Sequence, residues 1–206
     1  MNSKGILDFD EEAHKLFAKL NLEVSQGKSR WGDPVSPIYR HSVGNGIIYV
    51  GNQNAAENLK YLKETNITHV VNCTYGSSAI PNYHEKAGIK YYQFPISNWF
   101  EFVNATNASV MLFCDGLFTF VDNAISSNQN VLVHCLAGAH RAGTTGCLLL
   151  MHYCDMDVET SIRTAKTLRP IIDPIGQLPE FLRRFQRSKI AAMEKIQTSL
   201  KSEETK

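Results

Sequence analysis

The segment NVLVHCLAGAHRAGTTGCLLL, residues 130–150, constrains the fold more than any other part of this 206-residue chain. Its first half, NVLVHC, is a short apolar run after a polar turn, the pattern of a buried parallel strand. TTGCLLLMHYC is apolar nearly all round, which predicts a buried helix. Between them runs a loop that starts at Cys135, contains Gly138 and ends at Arg141. In a strand–loop–helix unit, successive backbone N–H groups converge and the helix start adds its positive dipole end, so the loop attracts anions. Gly138 permits the tight backbone path. Arg141 offers a planar fork that matches phosphate oxygens. The same positive field stabilises a thiolate at Cys135. A thiolate beneath a cradled phosphoryl group, with an arginine to absorb charge, suits covalent phosphoryl transfer.

Around this unit, short strands and helices alternate. GIIYVG, ITHVVNCT and IKYYQFPI read as strands. NQNAAENLKYLKETN, ASVMLFCDGLFTFVDNAI, DVETSIRTAKTL and GQLPEFLRRFQRSKIAAMEKI read as helices. The expected class is α/β, a mainly parallel central sheet flanked by helices. Residues 1–30 read as an extension whose DEEAHKLFAKL stretch places Ala13, Leu16, Phe17 and Leu20 at helical spacing, most simply packed on its own domain. GKSRWGDPVSP reads as loop. Residues 31–187 form the expected catalytic domain and 188–206 a polar helical tail, frayed over its last dozen residues.

Composition narrows the function by exclusion. Lys plus Arg is 21 against 20 for Asp plus Glu, a net charge of +1, so nothing draws the chain in bulk to nucleic acid or a membrane surface. No run is read as membrane-spanning. The five cysteines, Cys73, Cys114, Cys135, Cys147 and Cys154, are odd in number and lack CxxC spacing, which disfavours a disulfide framework and a metal site. No signal-like stretch opens the sequence, so the sequons at Asn66, Asn72, Asn104 and Asn107 are read as chance and the chain as a cytoplasmic or nuclear monomer.

HCLAGAHR fits H-C-x-x-G-x-x-R, and here the chain resembles the protein tyrosine phosphatase superfamily. From about residue 35 to 187 it is similar to the small dual-specificity phosphatases, through IIYVGNQNAAENLKYLKETNITHVVNCT and TLRPIIDPIGQLPEFLRRF. The resemblance implies Cys135 as nucleophile and Arg141 as the phosphate-binding, charge-stabilising group. It implies that the amides of Leu136, Ala137, Gly138, Ala139, His140 and Arg141 cradle the oxygens and that His134 supports the loop. A phosphorylated protein would be the substrate, with no metal or organic cofactor. Without lysine among Leu136, Ala137, Ala139 and His140, a polyphosphorylated lipid is disfavoured.

Several positions depart from that family pattern. Ala142 stands where a Ser or Thr helps the thiolate leave, and Thr144 and Thr145 are the nearest hydroxyls. Asn98 stands where the loop after YYQFPI holds an acidic residue in the family. Glu101 is the nearest carboxyl and the candidate general acid, beside the plainer reading of a solvated carboxylate. Ile175 follows Pro174 where relatives carry Asn, with Gln177 a water-orienting candidate or a plain surface residue. Trp99 and Phe100 either line the pocket or anchor their loop. Cys73 resembles in position a cysteine that pairs reversibly with the nucleophile in a related lipid phosphatase, or is simply buried. Together these imply a slow phosphatase that favours phosphotyrosine over phosphoserine or phosphothreonine, with a phosphoprotein-binding pseudophosphatase as the alternative.

Overall fold

A computed structural model of the chain describes residues 7–19, 34–74 and 87–204. Five strands, β1 (Val35–Arg40), β2 (Ile47–Gly51), β3 (Ile67–Asn72), β4 (Lys90–Gln93) and β5 (Asn130–His134), form one sheet in the order β1-β2-β5-β3-β4. β5 lies parallel between β2 and β3, pairing Gly51 with His134 on one side and Asn72 with His134 on the other. Its apolar residues are buried on both faces, as the continuous run predicts.

The helices are α1 (Phe9–Lys19), α2 (Gln53–Glu57), α3 (Leu59–Glu64), α4 (Trp99–Phe102), α5 (Asn107–Ile125), α6 (Arg141–Tyr153), α7 (Val158–Leu168) and α8 (Leu178–Glu204). On one face of the sheet, Leu132 and Val70 meet Ala55, Ala56 and Leu62 of α2 and α3. On the other, Val71, Val131 and Val133 meet the larger core that holds Leu117 of α5, Leu148 of α6 and Phe181 and Phe185 of α8. This is the mainly parallel, helix-flanked α/β architecture that the sequence predicts.

Four local expectations need correction. GKSRWGDPVSP is not loop throughout: from Val35 it is β1, an antiparallel edge strand with Val35 and Ile38 buried, while residues 27–33 lie outside the described part. Pro37, the loop signal, sits at a register irregularity of that edge, where a missing N–H is tolerated. The helix expected across NQNAAENLKYLKETN breaks at Asn58, whose extended backbone ends α2 and whose side chain accepts from Tyr61 N–H to cap α3. The C-terminal stretch expected to fray continues α8 to Glu204, because good helix formers run on without Gly or Pro. Finally, α5 is long and apolar enough by length and composition to cross a membrane, although the sequence was read as having no such run. Val110, Cys114, Leu117, Val121 and Ala124 of this helix are buried in the larger core.

The N-terminal helix forms where acids lead an apolar stripe. The Asp8 carboxylate accepts from the N–H groups of Asp10 (2.9 Å) and Glu11 (3.1 Å), capping α1. Those bonds, Glu11 first, hold Asp8 below the ordinary carboxylate range, so the cap stands above that pH and weakens as pH falls through the lowered value. The helix packs on its own domain, as expected, with Ala13 buried. Leu20 and the side chain of Phe17 lie outside the described residues.

Candidate active site

β5 ends at His134, so Cys135 emerges at the carboxyl edge of the central strand, between the ends of β2 and β3. In open parallel sheets this is where ligands bind. The loop that follows has its carbonyls turned outward. Leu136 O accepts from Gln53 N–H (3.2 Å) and Ala139 O from Asp173 N–H (3.1 Å). Gly138 O accepts from Arg169 Nε (3.0 Å) and Ala137 O from Arg169 Nη2 (3.3 Å). These bonds engage the carbonyls of residues 136–139 and fix the path of the loop expected to cradle an anion.

Gly138 has φ +70°, and a Cβ there would lie 2.4 Å from Gly51 O. Gly138→Ala is therefore expected to cost at least about 1–2 kcal/mol through the left-handed backbone alone. The contact with Gly51 adds to this and pushes the loop out of shape. Denaturant unfolding and tungstate titration check it together. Unchanged values for both would show that the loop tolerates a side chain.

Arg141 opens α6 with its side chain 5% exposed. One of its terminal nitrogens donates to the Asp10 carboxylate of α1, and its guanidinium lies 5.7 Å from the Phe9 ring centroid. Its buried Nε has no hydrogen-bond partner. Burial disfavours the charge, but the negative charges of Cys135 and Asp10 outweigh it and hold the guanidinium above its ordinary value. His140 Nδ1 lies 2.8 Å from Asp173 O and steadies the loop from outside. His134 is buried beneath the nucleophile, and its carbonyl accepts from Cys73 N–H (2.8 Å).

The hydroxyls after Arg141 are committed elsewhere. Thr144 donates to His140 O (2.7 Å) and Thr145 to Arg141 O (3.0 Å), the back-bonding usual for threonine within a helix. Ala142 between them and Arg141 is fully buried. Thr145 Oγ1 also lies 3.3 Å from Cys73 Sγ, and burial pushes the Cys73 thiol far above the ordinary thiol range.

The loop expected to supply the acid forms a 3-10 turn, Ile96–Asn98, and then α4. Asn98 joins Arg141, Ser97 and Asp10 in lining a cavity of about 150 Å³. Glu101 does not line it: it is exposed, and its Oε1 accepts from Asn98 Nδ2 (2.9 Å). The structure thus brings Asn98 to Arg141 and leaves Glu101 outside. Trp99 is the anchor of the two readings, buried against Phe181 with Nε1 donating to Gln177 O (3.3 Å), while Phe100 is exposed. Gln177 is not a plain surface residue, since its amide donates to Ser97 O (3.0 Å) and ties this loop to the start of α8. Among the described residues no group of three or more His, Cys, Asp or Glu could hold a metal ion.

Three contributors escape the sequence reading. Asp10 and Phe9 meet Arg141 from 131 positions away in the chain, in Asp10's case, and nothing local signals it. Arg169 is buried, its charge held down to about 10 by burial, and grips two loop carbonyls. Its only signal is a lone arginine at a helix end before Pro170.

Residues 48–188 match the family described as Dual specificity phosphatase, catalytic domain. The chain is 31% identical over 141 residues to human dual specificity protein phosphatase 9 and 32% identical over 142 residues to human dual specificity protein phosphatase 6. Each alignment covers 66% of this chain but only 34% and 35% of those proteins, so the chain spans about a third of the curated relatives it matches. Among solved structures it is similar to DUSP15 (TM-score 0.56, 20% identity, 78% of this chain and 95% of that one). Human DUSP28 is a comparable match (TM-score 0.54, 17% identity, 78% and 95%). Both show the same fold, and with the match over residues 48–188 the chain belongs to the dual-specificity phosphatase family.

Proposed function

We propose that this chain is a protein phosphatase that hydrolyses phosphotyrosine, and phosphoserine or phosphothreonine more slowly, through a phosphocysteine intermediate. One observation carries the reading: Cys135 and Arg141 flank a loop whose carbonyls, Leu136 to His140, are all engaged by other donors, an arrangement that suits N–H groups turned toward one anion. The Cys135 thiolate attacks phosphorus, the S–P bond forms, and the P–O bond to the leaving group breaks with its electron pair on oxygen. Arg141 and the loop N–H groups stabilise the charge on the three equatorial oxygens. Water then attacks phosphorus, the S–P bond breaks, and inorganic phosphate and thiolate are released.

Leaving-group chemistry sets the preference. With Asn98 beside Arg141 and Glu101 outside, no carboxyl of the 96–109 loop lines the cavity. A phenolate with a pKa of about 10 leaves without protonation, whereas a serine alkoxide does not. The second step is slow because Ala142 offers no hydroxyl and the Thr144 proton is on His140 O. A thiolate nucleophile needs a reducing compartment, so the proposal places the chain in the cytosol or nucleus.

A stopped-flow assay with para-nitrophenyl phosphate is expected to show a stoichiometric burst followed by slow turnover. Phosphotyrosine peptides should exceed phosphoserine peptides by about 10²-fold or more, the low end of what a missing acid costs. A linear time course, or equal rates on the two peptides, would count against these respective steps. A second reading, a phosphoprotein-binding module with little turnover, draws on Ala142 and on the carboxylate already seated at Arg141. Tight tungstate binding without any burst would favour it.

A further inference from the structure

The phosphate site is already occupied by part of its own chain. α1 lies across the loop, with Ala13 packed against Ala137 and Ala139 and Leu16 and Leu136 joining that cluster. Phe9 is buried in the main core beside Arg141, and Leu7 fills the space against Gly176. The Asp10 carboxylate takes one nitrogen of Arg141. The space left between α1, the 97–98 backbone and Arg141 is about 150 Å³. Ordinary ligand pockets hold about 300–1,000 Å³, so the space beside Arg141 is small while α1 is in place. Cys135 is 2% exposed and belongs to the main core that also holds Phe9.

We infer that α1 is an intramolecular competitor for the phosphate site, its Asp10 carboxylate standing where a phosphoryl oxygen of the substrate binds Arg141; this rests on the reading of the loop as a phosphate cradle. Of the acids in the first turn of α1, Asp10 reaches Arg141, while Glu11 and Glu12 pair with Lys15. The competition is uneven in the substrate's favour at the arginine. Asp10 engages one terminal nitrogen and leaves the buried Nε without a partner, whereas a phosphoryl group offers oxygens to both in a fork. In the absence of phosphoester, the burial of Phe9 and Ala13 holds the helix down. Apparent affinity for any phosphoester is then reduced by the fraction of molecules in which α1 is displaced, while the saturated complex turns over at its own rate.

The test uses the full chain and two substitutions in α1. Asp10→Ala removes the carboxylate; Ala13→Glu leaves it but puts a charged chain against Ala137 and Ala139. The readouts are tungstate affinity by calorimetry, KM and kcat on para-nitrophenyl phosphate, and the rate at which iodoacetamide labels Cys135, located by mass mapping. Asp10→Ala is expected to bind tungstate tighter and to lower KM by about 10- to 100-fold, the range one charge-assisted hydrogen bond supplies, and Ala13→Glu to shift both in the same direction. Cys135 labelling should rise with them, and kcat should stay within about twofold of wild type, as displacement before binding requires. Unchanged tungstate affinity and labelling in both variants would overturn the inference. A fall in kcat with Asp10→Ala would also overturn it, by showing that Asp10 acts in the chemistry. The phosphatase reading fails separately: if no form turns over yet tungstate binding tightens in both variants, the competitor stands and the enzyme does not.

Discussion

Cys135→Ser is expected to lower para-nitrophenyl phosphate turnover by on the order of 10⁴-fold or more, since the covalent route disappears with the nucleophile. The chemistry behind this is specific to sulfur. A thiol gives up its proton far more readily than a serine hydroxyl, and the thiolate is the nucleophile that the covalent step needs. The substitution is close to isosteric, so the cradle should remain. The loop is shaped by bonds from Arg169, Gln53 and Asp173 to its carbonyls, none of which involves the Cys135 side chain. Tungstate affinity should therefore stay near that of wild type while the burst and the steady-state rate both vanish. Residual turnover within tenfold of wild type would mean that another group attacks phosphorus.

Arg141→Lys is expected to reduce kcat/KM by about 10³-fold, comparable to the loss of an arginine that neutralises a transferring phosphoryl group. Charge is kept by this substitution, so the effect isolates geometry. Lysine presents a compact ammonium in place of a planar fork and cannot offer two in-plane N–H donors to two oxygens. Arg141 is buried with its Nε unpartnered, which is the donor a lysine lacks. If kcat/KM drops by less than about tenfold, the cationic charge alone suffices and the fork is dispensable.

Much of this site is legible in the sequence because its key parts are consecutive. Strand, glycine loop and helix share one apolar–polar–apolar pattern over residues 130–150, and the backbone geometry follows from that pattern with little help from elsewhere. What is not legible depends on distant segments. Arg169 reads as a helix-end residue until the fold brings it behind Gly138. Gln177 reads as a surface amide until α8 places it over Ser97. β1 hides because Pro37 looks like a breaker, and only an edge position makes a proline acceptable there. Asp10 hides most completely: an acid in the first turn of an amphipathic helix has a sufficient local explanation in the helix dipole, and its second partner lies across the molecule. Glu101 illustrates the converse, a residue singled out by proximity in sequence that the turn at Ile96–Asn98 directs away from the cavity.

The strand order has a consequence for how the chain acquires its shape. β2 and β3 are made early, but neither pairs with the other; both pair with β5, about 80 and 60 residues further on. A nascent chain that has not yet reached Asn130 holds two separate strand pairs, antiparallel β1 with β2 and parallel β3 with β4, and no common core. Long-range pairings of this kind are slow to form and leave strand edges open meanwhile. The same strand that leads into Cys135 is the keystone of the sheet, so assembly of the tertiary structure and completion of the 135–141 loop are one event.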